Sequence, residues 1–261
     1  MLPRYHNVQA ADFTSDRAGT LARTVKGNPA FVPRPLPPIL DLVPLLRQLS
    51  AADHALGRLA GLSRGLPKPR LLMAPFLRRE AVLSSRIEGT QTSLSELLLF
   101  EAEPEPSAPE PEMREVMNYL RALDYALGPD RKLPLSLRLI REMHSILMTD
   151  VRGGSMTPGE FRTIQNFIGP ATADEAGATM VPPPVPEMRA ALDAFEKFLH
   201  APSDLPPLVR LALIHYQFEA IHPFLDGNGR VGRLLITLML CEEKLLDQPL
   251  LYLSAFFERR K

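Results

Sequence analysis

The stretch HPFLDGNGR, His222 to Arg230, places an imidazole, a carboxylate, a carboxamide, two glycines and a guanidinium within nine residues. Histidine, aspartate and arginine are costly to bury without partners, and two glycines around an asparagine weaken any helix or strand running through them. Packing alone does not select such a set. These residue types suit proton transfer and the holding of an anion.

Upstream, Leu208, Leu211, Ala212, His215 and Phe218 follow helical spacing up to His222. Pro223 stops that helix, because it lacks an N–H and restricts the residue before it. His222 is therefore expected at a helix end, facing a loop. Downstream, Val231, Leu234, Leu235, Leu238 and Cys241 form the apolar stripe of a second helix starting near Gly229. The first turn of such a helix offers unpaired N–H groups and a partial positive charge, and the glycines let backbone approach a ligand closely. The loop reads as an anion cradle. Arg230 and Arg233, three apart on the helix, add guanidinium groups beside it. Asp226 supplies the hard oxygen ligand that a phosphate-bound Mg²⁺ takes, and His222 is left as the base. The set points to phosphoryl or nucleotidyl transfer. A zinc reading built on His215 and His222 leaves the glycines and arginines without a purpose, and His215, in an apolar helical stripe, reads as a core histidine.

The elements that must position these groups are mostly helical. Leu120, Leu123 and Leu127, then Leu139, Met143, Ile146 and Leu147, follow the same three-and-four spacing, and the fold class is all-α. Twenty-seven prolines mark element boundaries, above all in FVPRPLPPILDLVP, EPEPSAPEPEM and VPPPVPEM. The acidic cluster over 103–112 reads as an exposed connector. One segment departs from helix: PGEFRTIQNFIGP, followed by ATMVPPP, is expected to form a small β-hairpin with strands near Phe161–Phe167 and Ala178–Val181.

The chain as a whole narrows the function classes. Thirty basic residues balance thirty acidic ones, so no overall field draws it to nucleic acid or to an anionic membrane. Its single cysteine, Cys241, excludes an internal disulfide and reads as a buried, inert thiol. The longest apolar run, Leu234 to Cys241, is far shorter than the roughly 20 residues of a membrane helix, and the first residues lack an apolar leader. A cytoplasmic protein is expected, of oligomeric state that the sequence leaves open.

Residues His222 to Arg233, HPFLDGNGRVGR, fit without departure the signature HxFx(D/E)GNGRxxR, and the chain resembles the Fic family. GEFRTIQNFIG is similar to the family's flap hairpin over the active site, and SSRIEGT fits its inhibitory motif (S/T)xxxE(G/N), with Ser84, Glu88 and Gly89 at the fixed positions. The resemblance implies an α-helical enzyme that moves AMP from ATP onto a Ser, Thr or Tyr hydroxyl of a target protein, the protein itself included. His222 would be the base, and Asp226 would hold Mg²⁺. Gly227, Asn228 and Gly229 would line the anion hole, Arg230 would contact the phosphate chain, and Arg233 would take the γ-phosphate. Arg162, Thr163, Ile164, Gln165 and Asn166 would dock the target. Relatives that act as kinases carry Lys in place of the second glycine, so Gly229 favours nucleotidyl transfer.

The implied organisation is an N-terminal helical region over 1–110, with an inhibitory helix at about 76–89 and a proline-rich linker, then a catalytic core over 111–261. Similar proteins continue past the point where this sequence stops, at FFERRK, so a C-terminal extension is expected to be absent or truncated. Glu88 falls at the end of the helix that Gly89 stops, where the helix dipole disfavours an anion; a cationic partner relieves that, and the matched motif names Arg233. Autoinhibition by Glu88 is the leading expectation. Removal of AMP from a modified protein with the help of Glu88, and a nucleotide-binding interaction module without turnover, are the alternatives.

Overall fold

The computed structural model describes residues 18–65, 69–103, 108–151, 157–170 and 172–260. Among these residues nine α-helices and one two-stranded antiparallel sheet form, distributed over two units.

One unit takes residues 18–41, 135–137 and 160–228. Strand β1 (Gly19–Arg23) pairs with β2 (Pro29–Pro33), Gly19 opposite Pro33 and Arg23 opposite Pro29. Gly27, at φ 86°, makes the turn, and its N–H returns to the Thr24 carbonyl at 2.9 Å. Helices α6 (Val185–His200) and α7 (Pro207–Ile221) each begin with a proline in the first turn, where a missing N–H leaves nothing unpaired. The buried face of α7 is Leu211, Ile214, Phe218 and Ile221, turned from the expected stripe, so that Ala212 is exposed and His215 half-buried.

The expected hairpin is closed by one antiparallel bridge rather than by two strands: Ile168 and Met180 exchange N–H···O bonds of 2.8 and 3.0 Å. Two features stop the ladder from growing. Pro182, Pro183 and Pro184 have no N–H to continue it, and the Arg162 N–H is directed to the Pro223 carbonyl at 2.9 Å.

The other unit takes 42–134, 138–159 and 229–260. It contains α1 (Leu46–Arg64), α2 (Pro69–Ile87), α3 (Leu94–Ala102), α4 (Pro111–Leu127), nearly all of α5 (Leu137–Leu147) and α8 (Asn228–Glu242), and the short α9 (Ser254–Glu258). Helix α3 starts with a capping box, in which Ser93 Oγ accepts from the Glu96 N–H and the Glu96 carboxylate accepts from the Ser93 N–H at 2.7 Å. Both α4 and α9 pack on α2. Residues 231–240 of α8 are all buried, which is the condition under which a helix can be apolar on every side. No helix among the described residues is long and apolar enough to cross a membrane.

The end of α2 is set by Gly89, at φ 102°. Its N–H donates to the Arg86 carbonyl and the Thr90 N–H to the Ser85 carbonyl, at 3.0 and 3.2 Å. This paired arrangement satisfies the last carbonyls of the helix and requires a left-handed residue after the cap. Glu88 is thereby the cap residue, held where its side chain leaves the helix end.

Candidate functional site

The signature is divided between the two units: His222 to Asn228 in one, Gly229 to Arg233 in the other. In the first, His222 caps α7 in the left-handed region at φ 48°, ψ 62°, its N–H bonded to the Phe218 carbonyl at 3.0 Å. A non-glycine residue adopts that conformation only when its surroundings hold it. The loop that follows is tightly bonded. Asn228 uses both ends of its amide on Phe224, accepting from its N–H at 2.9 Å and donating to its carbonyl at 2.8 Å. Its side chain therefore closes the loop, and what it offers an anion is its backbone N–H at the start of α8. Asp226 accepts from the Gly227 N–H at 2.6 Å, and Gly227 sits at φ 76°, a position that favours glycine. Phe161 and Phe218 both pack against Phe224 with tilted rings, their centroids 5.3 and 6.4 Å away.

The residues expected to dock a target lie in the same unit and divide sharply. Thr163 and Ile164 are exposed, and Gln165 and Asn166 are half-buried. Arg162 is 1% exposed. Its guanidinium donates to the carbonyls of His222, Ile164 and Pro183 at 3.0, 3.2 and 2.5 Å, so it does not face a target. Asn166 donates to the Phe224 carbonyl at 2.8 Å, and Gln165 to that of Pro182 at 3.0 Å.

In the other unit, Arg233 is held by the end of α2. Its Nε donates to Ser84 Oγ at 2.8 Å, and Nη2 donates to the Ser84 carbonyl at 2.9 Å and to Glu88 Oε1 at 2.7 Å. Gly229 makes this possible. A Cβ there would overlap the Glu88 carboxylate and come within 2.9 Å of Arg233 Nη1. The Glu88 carboxylate thus lies against the first turn of α8, where a helix favours an anion, and pairs with the residue expected to hold a γ-phosphate. Ser84, Glu88, Gly229 and Arg233 are brought together; Gly89 sets the chain direction that allows it.

Arg230 is 2% exposed, and its guanidinium meets Glu115 of α4 at 3.6 Å instead of projecting from the helix. Glu115 also accepts from Thr90 Oγ1 at 2.6 Å. Arg230 therefore ties α8 to α4, and Thr90 ties the residue after Gly89 to the same carboxylate. A second buried carboxylate, Glu80, lies on α2 at 2% exposure and accepts from Ser254 Oγ at 2.5 Å and the Ser254 N–H at 3.2 Å. Burial pushes its carboxyl above the ordinary range, opposed by the Ser254 bonds and the charge of Arg233.

Sequence reasoning missed both Glu80 and Glu115. The signal was there: each occupies an apolar stripe, Glu80 with Met73, Leu77 and Ser84, and Glu115 with Tyr119 and Ala122. A charged residue on such a stripe marks a buried ion pair or network. Cys241 is half-buried, and burial pushes its thiol up to about 11, which leaves it protonated and inert at neutral pH.

No group of three or more His, Cys, Asp or Glu that could hold a metal ion occurs among the described residues. A zinc site is not supported there. Mg²⁺ asks for less, since it keeps several waters and is held by one or two carboxylates together with substrate phosphates. The single carboxylate of Asp226, fixed to the loop by the Gly227 N–H, fits that requirement.

Two family models match the chain, the Fic/DOC family N-terminal model over residues 46–128 and the Fic/DOC family model over 134–240. Among curated relatives, a protein adenylyltransferase Fic from Drosophila erecta is 33% identical over 112 residues, 42% of this chain and 20% of that protein. The counterpart from Drosophila virilis is 35% identical over 42% of this chain and 21% of its own length. The match thus spans about a fifth of these relatives. A Fic family protein from Desulfovibrio desulfuricans superposes with a TM-score of 0.61 at 23% identity, covering 85% of this chain and 64% of the other. Fic-1 from C. elegans does so at 0.57 and 23%, covering 77% and 59%. These structures share the fold.

Proposed function

Because this chain belongs to the Fic/DOC family, we propose that it transfers AMP from ATP to a Ser, Thr or Tyr hydroxyl of a protein, and that Glu88 restrains the transfer. The observation that carries this reading is the Glu88 carboxylate lying against the first turn of α8 and paired with Arg233 at 2.7 Å. A place built for phosphate oxygens is taken by the chain's own anion. The curated relatives are named protein adenylyltransferases, which agrees with the transfer of AMP.

In this reading His222 accepts the hydroxyl proton as the oxygen bonds to the α-phosphorus, and the bond to the β-phosphate oxygen breaks, releasing pyrophosphate. The backbone N–H groups of Asn228 and Gly229 hold the phosphate charge, while that of Gly227 stays on the Asp226 carboxylate, and Arg233 binds the γ-phosphate once Glu88 lets go. Arg230 serves by anchoring α8 to Glu115. Asp226 is the residue that would hold Mg²⁺, which when bound neutralises phosphate charge. Residues 1–110 carry the restraint, through the helix that ends at Glu88, and 111–261 the catalytic core. Exposed Thr163 and Ile164 are the docking surface for the target.

The test is incubation of the protein and its Glu88→Gly variant with Mg²⁺, a cell lysate and ATP labelled on either the α- or the γ-phosphate. Protein label from the α-position alone is expected. Label from the γ-position would replace the reading with phosphoryl transfer. Release of AMP from a modified target by the Glu88 form alone would make removal the principal activity. ATP binding with no labelled protein from either form would make the chain a nucleotide-binding module.

A further inference from the structure

We propose that Arg162 is a positioning residue for His222, carrying the main-chain carbonyl of the base rather than meeting a target protein; the inference rests on the reading of His222 as the base. The partners of the Arg162 guanidinium are all carbonyl oxygens, those of His222, Ile164 and Pro183. Its own N–H holds the next carbonyl along from His222, that of Pro223, at 2.9 Å. Asn166, from the same segment, adds donors to the carbonyls of His222 at 3.4 Å and Phe224 at 2.8 Å. Three consecutive carbonyls of the base-bearing loop, 222 to 224, are thus gripped from one short stretch of chain.

The physical case has three parts. The last carbonyls of a helix are left without intrahelical partners and carry partial negative charge, and the His222 carbonyl belongs to the cap of α7. A guanidinium meets that need with charge and several donors at once. His222 also stands at φ 48°, a conformation that persists only where neighbouring bonds over-determine it. Finally, burying a cation among neutral carbonyls is costly, and an apolar side chain would fill the same space without that penalty. Burial pushes the Arg162 guanidinium down to about 10, so it remains charged at neutral pH. What the cation supplies that an apolar residue does not is a fixed backbone at the base.

A misplacement of the base by about 1 Å is enough to slow the chemistry about a hundredfold without disturbing binding elsewhere. Glu88→Gly serves as the parent, in which Arg162→Lys keeps charge and stem but loses the planar fork, and Arg162→Ala removes both. The expected result is a fall in kcat of about tenfold to a hundredfold with the KM for ATP unchanged within about twofold. Millimolar guanidinium ion is expected to restore Arg162→Ala but not His222→Ala. Full kcat in Arg162→Lys overturns the proposal. So does a parallel loss of kcat, ATP affinity and Tm, which marks a general structural role. Hydrogen exchange of the segment 219–228 decides independently of any activity: Arg162→Lys is expected to quicken it about tenfold, and unchanged exchange there overturns the inference. Absence of AMP transfer in the parent counts against the proposed function alone. Should Arg162→Ala not fold, Arg162→Lys supplies both the kinetic and the exchange comparison.

Discussion

Replacing Glu88 with Gly removes the carboxylate from Arg233 and from the first turn of α8, and AMP transfer at saturating ATP is expected to rise. The pair lies at 2.7 Å, with the Arg233 side chain 9% exposed and that of Glu88 36% exposed. Unit charges about 4 Å apart interact by about 4 kcal/mol at an effective dielectric constant of about 20. One partner is more than a third exposed, so solvent screening reduces this, and about 1.5–3 kcal/mol is left for a half-buried pair. At about 1.4 kcal/mol per tenfold, the rise is of the order of tenfold to a hundredfold. Two Ser84 bonds to Arg233 survive in Glu88→Gly, so the lower part of that range is expected from the single variant and more from Ser84→Ala added to it. Glu88→Gln, which keeps a hydrogen-bond acceptor without the charge, should fall between. Arg233→Ala should not mimic Glu88→Gly, because it removes the phosphate ligand together with the restraint. The assay is initial-rate labelling from α-labelled ATP, with self-modification scored separately. A rate unchanged in Glu88→Gly, where wild-type transfer is measurable, would falsify the restraint.

His222→Ala is expected to lower transfer by about 10²–10⁴-fold with ATP affinity within about twofold of the parent by titration calorimetry; retained labelling removes His222 from its role. Gln165→Pro removes a backbone N–H beside the proposed docking residues Thr163 and Ile164, and if a target pairs with this segment as an added strand it should impair modification of the target while ATP binding is kept; equal loss of both makes the segment structural. Thr90→Val deletes the hydrogen bond to Glu115, worth about 1 kcal/mol, and should raise transfer severalfold, less than Glu88→Gly; no change means that Gly89 alone sets the end of α2. Glu80 is raised above its ordinary value of 4.5 by burial, so its contribution to stability is full below that value and is lost as pH rises through the folded-state value. Glu80→Gln should therefore gain stability relative to the parent as pH rises from about 4.5 to neutrality in chemical denaturation, and parallel curves would refute the assignment.

Much of the candidate site is written in nine consecutive residues. Pro223 ends α7 after His222, the glycines open the loop, and α8 begins at Asn228, one residue before the start expected from the apolar stripe. The cap at the end of α2 is equally local, since Gly89 supplies the left-handed residue and Thr90 the returning N–H. Such features depend on backbone dihedrals and on donors and acceptors a few positions apart, so a short window contains their causes. The β1–β2 hairpin could have been found in the same way, from Gly27-Asn28 between two extended runs. Tertiary structure decided the rest. That the Arg162 guanidinium meets main-chain carbonyls and that of Arg230 meets Glu115 depends on what is buried around each. Residues far along the chain settle that: His222 is 60 positions from Arg162, and Glu88 is 145 from Arg233. An arginine has the same composition and spacing whether its charge is solvated or enclosed. Only the packing of distant segments fixes the desolvation, and with it the partner the charge must find.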